Sequence, residues 1–376
     1  MNILIFIIVI VALIVVHEFG HFVVAKLSGM RVDEFGLGYP PRALVIAKKG
    51  GTEYTLNWLP FGGFVKIYGE DPSTTTAQTR LATGQVVDPR AFSSKNRFLQ
   101  ALVLIAGVSM NLLFAYVLIT GALIAGTPRA LSESEVATAQ NVELAVANVL
   151  PGSPAAQAGL LPGDIILSAE DGHNVLPDTS PAAFTKFVSL GGSNKTITLS
   201  VRHADGEEAT LFARPVEGLI ASDLSRPAIG VEVATIGVVP LSIGSAITEG
   251  AILTWEATKM TAVGLWHFFY GIFTLSADLS QVAGPIGIAD VVGTASMQGF
   301  GYLFSIMAII SINLALINLI PVPALDGGRL LFVIIESVIR RQIKPSIAHT
   351  MNAVGFIFLI LLMLVVTAHD IFKIVG

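Results

Sequence analysis

Long apolar runs alternate with polar sequence along this chain. Four runs approach the roughly 20 apolar residues that a helix needs to cross a bilayer. They extend from Asn2 to Ala25, Leu99 to Ala125, Tyr302 to Ile320 and Met351 to Ala368. The first run lacks the preceding Lys or Arg of a cleaved signal peptide, so we interpret it as a retained span. The pattern predicts a polytopic α-helical membrane protein with four transmembrane helices.

The two connections on either side of the second predicted span carry β-like patterns. Within residues 1–125, the loop 26–97 joins the first two spans and contains a β-prone stretch from Glu53 to Tyr68 with a Gly62–Gly63 pair. This stretch predicts a membrane-associated β-hairpin that bends at the two glycines. Residues 126–235 combine alternating strand-like segments with Pro-Gly and Asp-Gly turns, which predicts a soluble α+β domain.

The region 236–300 is harder to assign. Its apolar stretch from Leu241 to Leu275 is interrupted by ionisable residues at helical spacing. An amphipathic helix lying on the membrane surface fits this pattern better than a fifth span, although the fifth span stays open as an alternative. The last region, 301–376, holds the third and fourth predicted spans.

Lys and Arg residues are concentrated in two of the connections. Ten fall between Lys26 and Arg97 and four between Pro321 and Ser346, whereas seven are spread from Gly126 to Phe300. Basic residues favour the cytoplasmic side of a membrane, so the first and third connections are predicted to be cytoplasmic. Both termini and the domain at 126–235 are then expected on the outer side.

Composition agrees with a membrane location and argues against some kinds of partner. Hydrophobic residues make up 53% of the chain and charged residues 13%, with a mean hydropathy of +0.73. The net charge of −5 argues against a nucleic-acid partner. The absence of cysteine excludes disulfides and thiolate zinc sites.

The first span contains an H-E-x-x-H motif, His17-Glu18-Phe19-Gly20-His21. Imidazoles four residues apart leave one face of a helix and suit two ligands of one Zn²⁺. Glu18 lies about 100° round the helix from His17, where it can act as general base towards a water activated by the metal. An accidental cluster of three ionisable residues inside a span is disfavoured, because each is costly in lipid.

A catalytic zinc needs a third protein ligand, and Asp326 is the best candidate. It follows the third span in the segment from Asn318 to Arg329. Pro321 and Pro323 end the helix, and the two glycines after Asp326 permit a close backbone approach. This carboxylate is predicted at the bilayer depth of His17 and His21. A plain turn or N-cap role for Asp326 is the alternative.

These motifs together resemble the site-2 protease family, in the bacterial subgroup typified by the regulator of sigma-E protease. The resemblance rests on His17-Glu18-x-x-His21, on Asn318-x-x-Pro321-x-Pro323-x-Leu325-Asp326-Gly327, on Gly284-Pro-Ile-Gly287, and on a PDZ-like segment from Val149 to Asp164. Two departures matter. The chain has room for one PDZ-like domain, not two, and Gly107-Val-Ser-Met-Asn111 lacks a proline that relatives carry.

The resemblance also implies how substrate is held. Asn318, and Asn111 more weakly, are expected to contact an unwound substrate segment, with helix–helix hydrogen bonding as the alternative. The hairpin with Gly62 and Gly63 is expected to offer a strand edge to the substrate, or else to be a plain hairpin. The PDZ-like domain is expected to contact a peptide or a C-terminus, or to act as a size filter.

The chain is therefore predicted to be a zinc-dependent intramembrane endopeptidase of a bacterial cytoplasmic membrane. Zinc would be bound by His17, His21 and Asp326, and the substrates would be single-pass membrane proteins, including ones trimmed beforehand by another protease. A membrane scaffold without activity is disfavoured by the intact Glu18. A zinc transporter is disfavoured by the lack of an internal repeat.

Overall fold

The computed structural model describes residues 2–70, 88–172, 174–178, 180–192, 195–203, 206–220, 223–239, 241–274, 283–341 and 343–375. The helices are α1 (Asn2–Leu27), α2 (Arg97–Ala125), α3 (Glu133–Val136), α4 (Pro154–Gln157), α5 (Pro181–Gly191), α6 (Ile243–Thr274), α7 (Pro285–Gln298), α8 (Phe300–Leu319), α9 (Asp326–Ile339) and α10 (Pro345–Val375), with a 3₁₀ turn at Phe92–Ser94. The strands are β1 (Val32–Lys49), β2 (Thr52–Ile67), β3 (Pro128–Ala130), β4 (Gln140–Val149), β5 (Ile165–Glu170), β6 (Ile197–Arg202), β7 (Glu208–Ala213) and β8 (Val231–Val238).

The chain forms two compact units. One, here called the helical unit, comprises Met1–Ala122 and Ile243–Gly376, and the other, the β-rich unit, comprises Leu123–Ser242. Within the described residues, four helices are long and apolar enough to cross a membrane: α1, α2, α8 and α10. This agrees with the four predicted spans, and the fourth helix is longer than the apolar core that the sequence suggested.

One stripe of α1 organises the helical unit. Val9, Leu13, His17, His21 and Ala25 recur every four residues and are all buried. The N-terminal part of the stripe packs into a hydrophobic cluster with α2, α7 and α8, and Ala25 packs into a second cluster with α2, the hairpin and α9. The two histidines therefore lie between two hydrophobic clusters.

The hairpin formed by β1 and β2 begins earlier than predicted. Its reversal is at Gly50 and Gly51, both of which have positive φ as a tight two-residue turn requires. The predicted bend at Gly62–Gly63 is instead an irregular part of β2 that lies against α1. The exposed side chains of the hairpin include large apolar ones: Tyr39, Leu44, Ile46, Leu56, Trp58 and Leu59.

The β-rich unit is a six-stranded sheet in the order β3-β8-β4-β5-β6-β7. Its apolar core includes residues of β4, β5 and β6 together with Phe184 and Val188 of α5. β8 runs to Val238, past the predicted domain end at residue 235. Buried Asp164 accepts a hydrogen bond from the Leu161 backbone and pairs with His203 at 2.7 Å, a contact that the sequence did not indicate.

The region predicted as a surface helix contains α6 and α7. α6 is 32 residues long but does not have the apolar character of the four spans, so its position on the membrane surface stays a prediction. The first turn of α7 is capped from α10, because Asp370 accepts hydrogen bonds from the backbone N–H groups of Gly284 at 3.2 Å and Gly287 at 2.9 Å. The Gly284-Pro-Ile-Gly287 motif thus has a packing role.

Candidate metal centre and active site

Three side chains from distant parts of the chain converge in the helical unit. The Nε2 atoms of His17 and His21 lie 3.2 Å apart. The Asp326 Oδ2 atom lies 2.9 Å from His17 Nε2 and 3.1 Å from His21 Nε2. The structure therefore brings together the three side chains that the sequence proposed as metal ligands.

A sharp turn delivers Asp326 to the histidines. α8 ends at Leu319, and Asp326 is the first residue of α9. The N-cap is Leu325, so Asp326 does not have the N-cap role that was its alternative. A Cβ at Gly327 would lie 2.3 Å from the Leu319 and Ile320 carbonyl oxygens, and one at Gly328 would lie 2.3 Å from that of Val322. Only glycines therefore let α9 begin this close to the end of α8.

The three atoms fit a tetrahedral zinc ion. Ligands about 2.0–2.1 Å from a tetrahedral Zn²⁺ lie roughly 3.3 Å from one another, close to the separations observed. Gly107 of α2 leaves room for the site between the helices. A Cβ at this position would lie 2.4 Å from His21 Nε2 and 2.8 Å from His17 Nε2. Two imidazoles and one carboxylate are also a ligand set typical of catalytic zinc.

One face of α2 supports both histidines. Val103, Gly107 and Asn111 follow at intervals of four residues, so they share this face. The Val103 carbonyl lies 2.8 Å from His21 Nδ1, and the Asn111 side chain lies 3.3 Å from His17 Nδ1. A proton on His21 Nδ1, donated to Val103, leaves Nε2 free to bind a metal.

The hairpin positions Glu18. The Val65 backbone N–H of β2 donates a hydrogen bond of 3.1 Å to Glu18 Oε2. A Cβ at Gly63 would lie 3.8 Å from Glu18 Cγ, so β2 passes directly beside this side chain. The carboxylate is thus held by a backbone group, next to the histidine pair.

Asp326 is held in its charged form. Burial raises the pKa of this carboxyl group, but hydrogen bonds and charges from His17 and His21 outweigh burial and keep the pKa well below its usual range. α9 is fixed further by ion pairs from Arg329 to Glu70 at 2.8 Å and from Glu336 to Arg97 at 2.7 Å. A charged carboxylate on a fixed helix start is suited to binding a cation.

The four residues predicted to contact substrate lie in different settings. Asn318 is half-buried on α8, and no residue in the described part of the chain offers its amide a hydrogen bond. Gly62 and Gly63 are buried against α1. Asn111 is fully buried, with its amide beside His17, and its expected contact with substrate stays a prediction.

Two contributions to the site were not predicted from the sequence: the Val103 carbonyl and the Val65 N–H. Backbone atoms carry no residue-type signal, so nothing in the sequence marked either of them. Gly107 was noticed only as part of a motif. Its spacing of four from Asn111, inside an otherwise apolar span, is the signal that could have placed it at the site.

Comparisons with known proteins agree on one family. The sequence model of peptidase family M50 matches residues 5–362. A Clostridium perfringens protein is 33% identical over 360 residues, 96% of this chain and 95% of the relative. A Synechocystis protein is 32% identical over 370 residues, 96% of this chain and 92% of the relative. Each of these relatives bears the name "putative zinc metalloprotease".

Proposed function

Because the chain belongs to peptidase family M50 and is an integral membrane zinc metalloprotease, we propose that it cuts single-pass membrane proteins within their transmembrane segments. Membrane-anchored regulators, such as anti-sigma factors, and signal-peptide remnants are the proposed substrates. The observation that carries this proposal is the convergence of His17, His21 and Asp326 between two apolar helix clusters. A hydrolytic site in this position suits a scissile bond that arrives through the lipid.

In the proposed reaction, zinc bound by His17, His21 and Asp326 supplies Lewis-acid chemistry, polarising a carbonyl oxygen and lowering the pKa of a water. Glu18 accepts the proton of the attacking water and donates it to the leaving nitrogen. The Val65 N–H keeps the Glu18 carboxylate oriented.

An unwound substrate segment also needs hydrogen-bond partners, because unpaired backbone groups in lipid cost several kcal/mol each. The amide of Asn318, which has no hydrogen-bond partner among the described residues, offers a donor and an acceptor. Gly62 and Gly63 bring β2 against α1, so a substrate strand added to the hairpin would run beside Glu18. In this proposal the hairpin and the third connection face the cytoplasm of a bacterium, as the distribution of Lys and Arg favours.

Asp326→Ala tests the assignment of the metal centre. Loss of one of the three ligands should weaken zinc binding by at least about 100-fold, because loss of a residue that only supports a ligand already costs about 10–100-fold. It should also abolish cleavage of a single-pass substrate in liposomes. Zinc affinity is measured by competition with a chelator. Asp290→Ala, on an exposed position of α7, is the matched control and should behave like wild type. Wild-type zinc affinity in Asp326→Ala would contradict the assignment.

We further propose that the β-rich unit, as a PDZ-like domain on the outer side, binds a free peptide C-terminus. A cavity of about 410 Å³ lies beside α5 and the start of β8, lined by Phe184, Val188, Ile229 and Arg226 among others. β3 and the following Leu131 bond to β8 from Thr235 to Val238, and no strand in the described part of the chain pairs with this edge of β8 from Val231 to Ala234. The start of β8 is thus open to another strand.

The loop before β8 suits a carboxylate. In the described part of the chain no group accepts a hydrogen bond from the N–H of Ile229 or Gly230, and Gly230 has a φ of +82°. Successive free N–H groups next to a left-handed residue form an anion-binding concavity. Arg226, which lines the same cavity, adds a positive charge.

Arg226→Gln should weaken binding of a fluorescent peptide that ends in an apolar residue. Loss of one charged hydrogen-bonding group corresponds to roughly 10-fold in affinity. Amidation of the peptide C-terminus should have a similar or larger effect on the full-length protein, measured by fluorescence anisotropy. Lys186→Gln removes the same charge from an exposed position on α5 and is the control. Equal binding of free and amidated peptides, or no binding, would favour a size filter instead.

A further inference from the structure

The amide of Asn111 is placed where it can decide which nitrogen of His17 carries the proton. Asn111 is fully buried on α2, and its Nδ2 atom lies 3.3 Å from His17 Nδ1. In this orientation the amide N–H₂ donates to Nδ1, so the neutral imidazole would carry its proton on Nε2. A protonated Nε2 cannot bind a metal.

The same orientation leaves Asn111 Oδ1 buried without a hydrogen-bond partner among the described residues. A buried acceptor without a partner costs about 1–3 kcal/mol. Rotation of the amide by 180° exchanges its oxygen and nitrogen positions. The oxygen then faces His17 Nδ1, which becomes a donor, so the amide oxygen gains a partner and Nε2 of the neutral imidazole is left unprotonated.

We propose that Asn111 is a positioning residue for zinc: its amide oxygen accepts the Nδ1 proton of His17 and holds Nε2 free for the metal. This inference rests on the proposed metal centre and adds to it. The two histidines are supported by different means. His21 donates to the Val103 backbone carbonyl, which no substitution at position 103 removes, whereas the tautomer of His17 depends on one side chain.

Asn111→Leu should weaken zinc binding about 10–100-fold, the usual cost of losing a group that orients a ligand. Asn111→Asp keeps an acceptor oxygen and should restore zinc affinity to within about threefold of wild type. Chelator competition on the purified protein gives the affinities. The rescue separates hydrogen-bond acceptance from packing, since a helix-packing role would not depend on an oxygen atom.

Ser311→Ala is the matched control for local packing. Ser311 donates to the Asn111 backbone carbonyl at 2.8 Å, so this variant loosens the same α2–α8 contact without touching His17. It should bind zinc as wild type does. The proposal would be overturned if Ser311→Ala or Asn111→Asp bound zinc as weakly as Asn111→Leu does.

The tautomer itself can be read by ¹⁵N NMR of histidine-labelled, zinc-loaded protein, with the His17 signals assigned by their loss in His17→Asn. A protonated Nδ1 and a metal-bound Nε2 are expected, and an unprotonated Nδ1 would overturn the inference. If wild-type protein binds no zinc, the proposed metal centre itself fails. If wild type binds zinc and Asn111→Leu binds it equally well, only the role of Asn111 fails.

Discussion

Glu18→Gln should lower the cleavage rate by about 10²–10⁴-fold, the usual contribution of a general acid–base group. The amide cannot accept a proton from water at neutral pH. Its oxygen can still accept the hydrogen bond from the Val65 N–H, so the side chain should keep its place. Glu18 is outside the group of three converging ligand atoms, and zinc content should therefore stay at the wild-type level.

The measurement pairs cleavage of a single-pass substrate in liposomes with zinc content of the same preparation. Glu256→Gln makes the same change at an exposed position of α6 and should leave both values unchanged. Undiminished cleavage by Glu18→Gln would show that another group accepts the proton. Loss of zinc together with cleavage would show that Glu18 acts on the metal centre and not on the reaction.

Gly107→Ala should lower zinc affinity by roughly 100-fold and lower the cleavage rate with it. The added methyl group would lie 2.4 Å from His21 Nε2 and 2.8 Å from His17 Nε2, where the histidines need to meet the metal. Overpacking of this kind typically costs 1–3 kcal/mol and forces side chains out of position, which adds to the loss of the ligand geometry. Alanine favours a helix over glycine by up to about 1 kcal/mol, so α2 itself should not be weakened.

Gly121→Ala is the matched control on the same helix. Its methyl group would contact the Phe304 ring at 3.6 Å, an ordinary van der Waals distance. Chelator competition should give wild-type zinc affinity for Gly121→Ala and a much lower value for Gly107→Ala. Normal zinc binding by Gly107→Ala would show that α2 does not enclose the metal site closely.

The side chains at the centre of the site were predictable because each is chemically unusual where it stands. Three ionisable residues in one span are costly unless they form a site, and helical periodicity alone puts His17 and His21 on one face. Asp326 could be matched to their depth because two prolines fix where α8 ends. The structure brings these three residues together, with Asp326 Oδ2 within 3.1 Å of both Nε2 atoms.

The surroundings of the site were less predictable, since they consist of backbone atoms and of a glycine, which has no side chain. Val103 and Val65 act through a carbonyl and an N–H that any residue type would provide. Asn111 was expected to face substrate because an amide in a span needs partners, but the sequence does not say which partner it finds. Only the packing of α2 on α1 puts His17 in front of it.

The hairpin could be predicted only in part from the sequence. A β-prone stretch ending near Tyr68 was correctly seen as strand, but its partner is the long strand β1, and the chain reverses at Gly50 and Gly51. Two Gly-Gly pairs were available as turns. Gly62–Gly63 is used for close contact with α1 instead, a choice made by tertiary packing and not by local propensity.

The cap on α7 has a consequence for how the protein is made. Gly284 and its acceptor Asp370 are 86 positions apart in the chain. While the ribosome is still synthesising the intervening residues, the N–H groups of Gly284 and Gly287 lack this acceptor. They gain it only after residue 370 has been made, so this part of the enzyme is completed late in biogenesis.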